Sequence, residues 1–210
     1  TDKPFIIHPN PNETGFDCVE NPHLLAANTA QTGHTLEARL RLHQLPMAHT
    51  AKKDPADRGY INLEPWYEGI RDSFYAADQL YAYWVSMLAG AISHCYGAHG
   101  IWNVGDGQFL GHWGGQTFAQ ALALDTPRLL GLSHQLLTPY LQLKAEVELQ
   151  EEAGKVLSLR RRTQSASFTY IPEISSMNSI PQGKIWLPLE GRFTDQLPAQ
   201  GQVVIIGGES

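Results

Sequence analysis

The sequence has little of what several common classes of protein require. Its 210 residues include two cysteines, Cys18 and Cys95, too few for a disulfide scaffold or a four-thiolate metal site. The longest apolar run, 80–92, is well short of the ~20 residues that a membrane span requires. The apolar segment 5–7 is too short for a secretory signal peptide. We therefore predict no membrane association, and the cysteines leave the redox compartment open.

Positive charge is also scarce. The chain has 15 Lys and Arg against 21 Asp and Glu, a formal net charge of −6. A nucleic-acid-binding protein needs a basic face that neutralises phosphates, so no nucleic-acid partner is expected. The one basic run, 160–162, is interpreted as a solvated strand edge. A hydrophobic content of 42% is sufficient for a folded core around a site for a neutral or small ligand.

Motifs for nucleotides and metals are incomplete. Gly105-Asp106-Gly107 lacks the third glycine of a dinucleotide-binding turn and does not lead straight into a helix. The chain has no HExxH motif, and a glycine-containing loop separates two of its histidines, His94 and His99. A metal-dependent hydrolase is the less favoured alternative, with imidazoles from His8, His34, His94 and His99. We predict no cofactor and no metal ligands.

Residues 4–143 repeat a pattern of strand, long loop and helix. Four units of about 35 residues are close to the roughly 30 residues per unit of an eight-unit α/β barrel, so they predict half of a (β/α)8 TIM barrel. An open parallel sheet is the alternative. The predicted strands are 4–7, 24–29, 60–64 and 91–96, and the predicted helices are 36–45, 74–88, 116–123 and 127–141.

The pattern changes after residue 143. Short apolar segments separated by turn-forming residues predict strands at 155–160, 167–171, 184–189 and 202–206. We therefore predict two domains, a half barrel at 1–143 and a small antiparallel, β-sandwich-like domain at 144–210.

Polar and aromatic side chains gather where the predicted strands end. In an α/β barrel the reactive groups lie at these ends, and a carboxylate among imidazoles, amides and flat aromatic rings suits a carbohydrate. The residues are His8, Gln31, His34, Glu64, Trp66, Tyr67, His94, Tyr96, His99 and Trp102, with Trp113 in the same set of loops.

Three motifs resemble those of a known family. They are 28–34 with Gln-Thr-Gly-His, 61–70 with INLEPWYEGI, and 83–102 with YWVSMLAGAISHCYGAHGIW. In this order they resemble the apiosidase-like glycoside hydrolases, the barrel enzymes around glycoside hydrolase family 140. The resemblance covers residues 4 to about 140 and implies the last four strands of the barrel. Thr32 replaces a serine of the family pattern, and Ala26 stands where the family has an acidic residue.

The resemblance implies that Glu64, at the end of the seventh barrel strand, is the catalytic nucleophile. A structural glutamate that satisfies loop amides is the alternative. Glu68 is the competing carboxylate, for which a helix-entry or salt-bridging role is expected. The resemblance also implies that the tail corresponds in position to the family's C-terminal domain, which is labelled collagen-binding. The substrates that the family implies are plant polysaccharide side chains.

The other predicted residues are assigned to substrate binding. His94 and Tyr96 orient Glu64 or bind a sugar hydroxyl, with a buried structural role as the equal alternative. His34 reaches the pocket or caps the following helix. Trp102 is expected to be a stacking platform for a sugar ring.

The second carboxylate of a glycosidase is missing from the predicted site. Glycosidic cleavage uses two carboxyl groups, and in such barrels the acid/base comes from the fourth strand, which would lie upstream of Thr1. Asp17, Glu20 and Asp106 lie in pocket-side loops, but none occupies a motif position. The chain is thus predicted to be a fragment or subunit of a glycosidase.

Three interpretations of such a half barrel remain open. Its partner is an N-terminal half-barrel polypeptide or a second copy of the chain, because a half barrel exposes strand edges. A non-catalytic carbohydrate-binding module is the alternative function. The family implies a secreted or periplasmic protein.

Overall fold

A computed structural model describes residues 3–208 of the chain. It divides into two compact units, Thr1–Leu124 and Asp125–Ser210. Within the described residues, no helix is both long enough and apolar enough to cross a membrane. The predicted domain boundary at 143/144 stays a prediction. The helix Thr126–Leu137, which precedes that boundary, belongs to the second compact unit.

The first unit is built around a parallel sheet of three strands. These are β1 (Asn28–Gln31), β2 (Tyr60–Glu64) and β3 (Ala91–His94), in the order β1-β2-β3. The helices are α1 (Arg41–Lys52), α2 (Ala76–Leu88) and α3 (Phe118–Leu122). This confirms the prediction of an α/β arrangement with a parallel sheet.

Two predicted strands differ from the structure. The segment 4–7 forms one parallel bridge, Phe5 to Leu25, with the Ala26 N–H donating to the Phe5 carbonyl at 2.7 Å. The strand predicted at 24–29 lies at Asn28–Gln31, because a short 3₁₀ turn at Pro22–Leu24 precedes it. Pro4 begins the first segment, Pro9 follows it and Pro22 precedes the second, and each proline lacks the N–H that would extend a strand there.

The three helices of the first unit also begin later than the sequence predicts. The stretch from Leu36 first forms a 3₁₀ turn, Leu36–Leu40, and α1 begins at Arg41. The Ser73 hydroxyl donates to the Arg71 carbonyl at 3.1 Å, and α2 begins at Ala76 instead of residue 74. Residues 79–88 of α2 are all buried, which explains why apolar side chains cover most of the circumference of this helix.

An irregularity in the sheet register positions the end of β2. Ala30 pairs with Asn62, but the next residue, Gln31, pairs with Glu64, so Leu63 is an extra residue in β2. Such a bulge redirects the side chain that follows it. It places Glu64 directly beside Gln31 at the carboxyl end of the sheet.

The second unit contains α4 (Thr126–Leu137) and one six-stranded antiparallel sheet, in the order β4-β5-β6-β9-β7-β8. Its apolar core includes Ile171, Leu187, Val203 and Ile205. The strands are β4 (Glu146–Glu152), β5 (Lys155–Arg162), β6 (Ala166–Ile171), β7 (Lys184–Leu187), β8 (Arg192–Thr194) and β9 (Val203–Gly208). The predicted antiparallel sheet after the α/β region is confirmed.

The basic run is not at a sheet edge, contrary to the sequence interpretation. It lies in β5 between β4 and β6, with Arg160 opposite Glu148 and Arg162 opposite Glu146. The strand β4 was not among the predicted strands, because its apolar alternation is limited to Val147 and Leu149 among exposed polar residues. Opposite charges across the strand pair stabilise it instead.

A partly buried ion pair ties the entry of β2 to the segment before β1. Arg58 donates through Nη2 to Asp54 Oδ1 at 2.6 Å and through Nε to Oδ2 at 2.7 Å. The same guanidinium donates to the Leu25 carbonyl at 3.2 Å and covers the Phe16 ring. The hydrogen bonds from Arg58 hold the pKa of the Asp54 carboxyl well below its usual range.

We predict that Asp54→Asn lowers the free energy of unfolding by about 2 kcal/mol at pH 7, because Arg58 loses its charged partner. The pKa of Asp54 is lower in the folded protein than in the unfolded chain. Its contribution to the free energy of unfolding is therefore complete at pH values above the ordinary carboxyl pKa of about 3.9. It is lost as the pH falls further towards the native value. Urea denaturation at pH 7, 5 and 3 measures the difference between the two proteins.

Asp125→Asn is the control, since Asp125 forms a similar but exposed pair with Arg128. Its unfolding curve should stay close to that of the parent protein at every pH. An Asp54→Asn difference that is unchanged at pH 3 would contradict the prediction.

Candidate active site

Glu64 occupies the carboxyl end of β2, where Pro65 ends the strand. It lies in a pocket of about 430 Å³. The pocket is lined by Gln31, His34, Glu64, Tyr67, Ile70, Trp102 and Trp113. These residues come from the ends of β1 and β2 and from the loops after β2 and β3, as expected for a site at the carboxyl face of a parallel sheet.

Both oxygens of the Glu64 carboxylate have an imidazole partner. His34 Nε2 lies 2.7 Å from Oε1, and His8 Nε2 lies 3.0 Å from Oε2. The side chains of Gln31 and Tyr67 also hydrogen-bond to this carboxylate. The Glu64 side chain is only 16% exposed, so these polar partners replace much of its hydration.

The hydrogen bonds of His34 assign its tautomer. Its Nδ1 accepts the backbone N–H of Tyr67 at 3.3 Å, so the proton of the neutral ring lies on Nε2. That Nε2–H donates to Glu64 Oε1. The backbone after β2 therefore orients the ring that in turn orients Glu64.

The surroundings favour the ionised form of Glu64. Burial raises the pKa of its carboxyl, but hydrogen bonds from His34 and Gln31 and attraction to the His34 and His8 imidazoles outweigh burial and lower it overall. Burial and the adjacent Glu64 raise the pKa of Tyr67 to about 12, so its hydroxyl stays a donor. A carboxylate held ionised suits a nucleophile or a base and not a proton donor.

Aromatic rings form one wall of the pocket. Tyr67 lies against His34, with ring centroids 4.6 Å apart, and 6.4 Å from Trp102. Gly97 is required beside it, because a Cβ there would lie 2.3 Å from the Tyr67 ring. Trp102 is 44% exposed and presents a flat apolar surface to the pocket.

Two further residues line the pocket: Ile70 was not predicted, and Trp113 was placed in the same loops but not assigned to the site. Trp113 lies beneath the Arg71 guanidinium, 4.6 Å from the ring centroid. Its position in a Gly- and Trp-rich loop was the available signal. The path of that loop depends on tertiary contacts that a single sequence does not specify.

The structure places Trp66 in the core instead of the pocket. It is 2% exposed, its indole N–H donates to the Thr35 carbonyl at 2.8 Å, and its ring stacks on Phe74 at 4.7 Å. These contacts use both its polar atom and its faces. The sequence interpretation of Trp66 as a substrate-contacting ring is not supported by this placement.

His94 also lies away from the pocket lining. Its ring packs edge-on against Tyr83 of α2, with centroids 5.7 Å apart. Burial lowers the pKa of His94 to about 3, so the ring is neutral. A direct contact with Glu64 or with a sugar, as predicted, finds no support in this geometry.

Tyr96 and His99 connect loops around the pocket. The Tyr96 hydroxyl donates to Glu68 Oε2 at 2.7 Å, and Glu68 is buried. His99 is buried and donates from Nε2 to the Gly114 carbonyl at 2.6 Å. Backbone hydrogen bonds join Glu68 to Gly97 and to His99. These residues therefore hold the loops after β2 and β3 together and do not line the pocket.

The four histidines proposed for a metal site are not gathered at one point. His8 and His34 meet at Glu64, whereas His94 packs on α2 and His99 binds a backbone carbonyl. Between residues 3 and 208 there is no group of three or more His, Cys, Asp or Glu that could hold a metal ion.

Comparison with known proteins places the chain in a family. Residues 1–138 match the model of the apiosidase-like catalytic domain. The chain belongs to the apiosidase-like family. A search of curated proteins finds no match to this apiosidase-like chain.

Two solved structures resemble the apiosidase-like chain. One is a glycoside hydrolase family 5 protein from Bacteroides vulgatus ATCC 8482, with a TM-score of 0.69 and 14% identity over 94% of this chain. The other is described as a glycoside hydrolase, with a TM-score of 0.71 and 15% identity over 94% of this chain. At these identities the likeness shows the fold alone. The chain spans 55% and 56% of the lengths of these relatives.

Two tryptophans of this apiosidase-like chain provide a matched test of the site. Trp66→Ala should lower the free energy of unfolding by about 3–5 kcal/mol, because it empties a buried, stacked position. Trp102→Ala should change it by less than about 1 kcal/mol, because much of that ring is already exposed. Chemical denaturation of both variants measures the contrast, and equal losses of stability would contradict the two placements.

Proposed function

We propose that this chain carries the nucleophile half of a glycoside hydrolase active site, with Glu64 as the nucleophile. The supporting observation is a largely buried carboxylate with an imidazole nitrogen within 3.0 Å of each oxygen, in a pocket with one aromatic wall. Membership in the apiosidase-like family and the glycosidase fold of the relatives support the same function.

In the proposed reaction, one oxygen of Glu64 attacks the anomeric carbon of the bound sugar. The bond to the leaving oxygen breaks as that oxygen takes a proton from a separate carboxylic acid, and a glycosyl ester forms on Glu64. Water, deprotonated by the same acid/base group, then displaces Glu64 and regenerates its carboxylate. Before the attack, His34 and Gln31 keep Glu64 ionised, and His34 and Tyr67 orient its carboxylate.

The acid/base group is proposed to lie outside this chain's pocket residues. Glu64 is the carboxylate among the residues that line the pocket. The candidates Asp17 and Asp106 accept hydrogen bonds within their own turns, from Thr14 and from the Phe109 N–H. The solved relatives are nearly twice as long as this chain, which leaves room for a second half barrel with the missing carboxyl group.

Exposed apolar side chains support a half-barrel partner. Phe5 and Leu24 are exposed beside the first strand region, and Val104 and Leu122 are exposed in the region after β3. In a closed barrel both ends of a four-unit segment would be covered by neighbouring strands and helices. We propose that an N-terminal half barrel, in the same protein or as a separate polypeptide, covers them.

The proposed substrate is an oligosaccharide or a plant-type polysaccharide. Tyr67, Trp102 and Trp113 offer flat faces for the C–H surfaces of a sugar ring, while His8 and Gln31 offer hydrogen bonds to hydroxyls near Glu64. A non-catalytic carbohydrate-binding module is the second candidate, favoured by the presence of one carboxylate among the lining residues.

We expect Glu64→Gln to lower kcat by at least about 10³-fold in the complete protein, because the amide cannot form the glycosyl ester. Oligosaccharide binding, measured by calorimetry, should survive because the substitution preserves shape. Asp125→Asn is the control and should retain full turnover, because the exposed Asp125 carboxylate pairs with Arg128 and does not line the pocket.

Turnover that persists in Glu64→Gln would remove Glu64 from the mechanism. A parent protein that binds oligosaccharide without any turnover would instead favour the binding module.

We also expect the 210-residue chain, expressed alone, to self-associate because its apolar ends are uncovered. Light scattering after gel filtration measures this. Co-expression with the remaining half barrel should give a one-to-one complex, and a stable monomer in its absence would contradict the half-barrel proposal.

A further inference from the structure

The loop that carries His8 is fixed to β1 at its two ends. On one side, the Thr29 hydroxyl donates to the Ile7 carbonyl. On the other side, the Gly15 N–H donates to the Thr29 carbonyl at 2.8 Å. The intervening residues, 9–12, lie between these anchors and directly follow the imidazole that contacts Glu64 Oε2.

Arg41, the first residue of α1, contacts this intervening segment. Its Nη1 donates to the Pro11 carbonyl at 3.0 Å, and its Nη2 donates to Asn12 Oδ1 at 3.0 Å. The same Nη1 reaches the Thr32 carbonyl at 3.5 Å. One half-buried guanidinium thus connects the segment after His8 to the segment before His34.

Thr32, whose carbonyl Arg41 contacts, lies two residues before His34, the second imidazole partner of Glu64. Gly33 has a φ of +88° and turns the chain sharply, so that His34 points to Glu64 Oε1. Because the planar guanidinium presents several donors in fixed directions, it can hold two backbone segments at a constant separation. A lysine ammonium in the same place keeps the charge but loses this fork.

We propose that Arg41 is a positioning residue for Glu64 that acts through His8. It fixes the segment after His8 relative to the end of β1, and so keeps the His8 imidazole on Oε2 while His34 holds Oε1. The catalytic meaning of this role rests on the proposed function, because it makes Arg41 a determinant of how the nucleophile is oriented and kept ionised.

The Glu64 carboxyl reports on this arrangement directly. The titratable groups around the Glu64 carboxyl are His8, His34 and Tyr67. The Cys95 thiol in turn contributes to the raised pKa of Tyr67. In the full-length protein labelled with ¹³C at the glutamate side-chain carboxyl, the Glu64 signal is assigned by its loss in Glu64→Gln. Its pH titration then gives the pKa of this group in each variant.

We expect His8→Ala to raise the Glu64 pKa by about half a unit or more, because a favourable partner of the charged form is lost. Arg41→Lys should raise it by a similar amount. The double variant should show no larger shift than either single variant, because both substitutions remove the same contact. In the active protein, Arg41→Lys should lower kcat with little change in KM.

Arg58→Lys is the matched control. Arg58 also donates to a backbone carbonyl in this unit, but it binds the segment before β1 and not the His8 loop. It should lower stability and leave the Glu64 titration unchanged. Arg41→Lys keeps the charge, and Arg41→Ala, measured beside it, should give the same shift.

Three results would overturn the proposal. They are an unchanged Glu64 titration in Arg41→Lys, shifts that add in the double variant, or an equal shift in Arg58→Lys. None of these three titrations needs turnover, so they test Arg41 separately from the proposed function. An unchanged Glu64 titration would refute the role of Arg41, whereas activity that persists in Glu64→Gln would refute the nucleophile assignment.

Discussion

The ionised carboxylate of Glu64 is the constraint on which the rest of the first unit depends. A carboxylate that is mostly removed from water needs hydrogen-bond partners for both oxygens. The polar groups around Glu64 come from separated segments of sequence: the ion-pair partner His8 lies before β1, and the hydrogen-bond partners are Gln31 and His34 near the end of β1 and Tyr67 after β2. The parallel sheet satisfies this requirement because it brings the carboxyl ends of its strands to one edge.

A second set of contacts supports the loops that form the pocket. The buried Glu68 carboxylate accepts the Tyr96 hydroxyl, and His99 binds the Gly114 carbonyl. These polar groups lie in segments without regular secondary structure, where backbone groups would otherwise lack partners. They fix the path of the loop that presents Trp102 and Trp113 to the pocket.

The two compact units solve different packing problems. In the first, α2 is buried along 79–88 and packs against the parallel sheet, while apolar side chains such as Leu24 and Val104 remain exposed. In the second, one antiparallel sheet is stabilised by an apolar cluster and by charge pairs between β4 and β5. The exposed apolar residues of the first unit are what an incomplete barrel would present, and they are the physical basis for the proposed half-barrel partner.

The sequence by itself determined the α/β class of the first unit, the antiparallel sheet of the second, the family and the position of Glu64. Apolar periodicity and strand-ending residues are local signals, and Pro65 after Glu64 marks the end of β2 without reference to any other segment. It also indicated Gln31, His34, Tyr67 and Trp102, which line the pocket.

Only the tertiary structure decided which polar and aromatic residues share the pocket. Trp66 and Tyr67 are adjacent in sequence, yet one is buried against Phe74 and the other contacts Glu64. The bulge at Leu63 and the path of the loop that carries Trp113 depend on pairing with residues distant in the chain. The direction in which a side chain points is set by such non-local contacts, and these are not encoded in the local pattern of residue types.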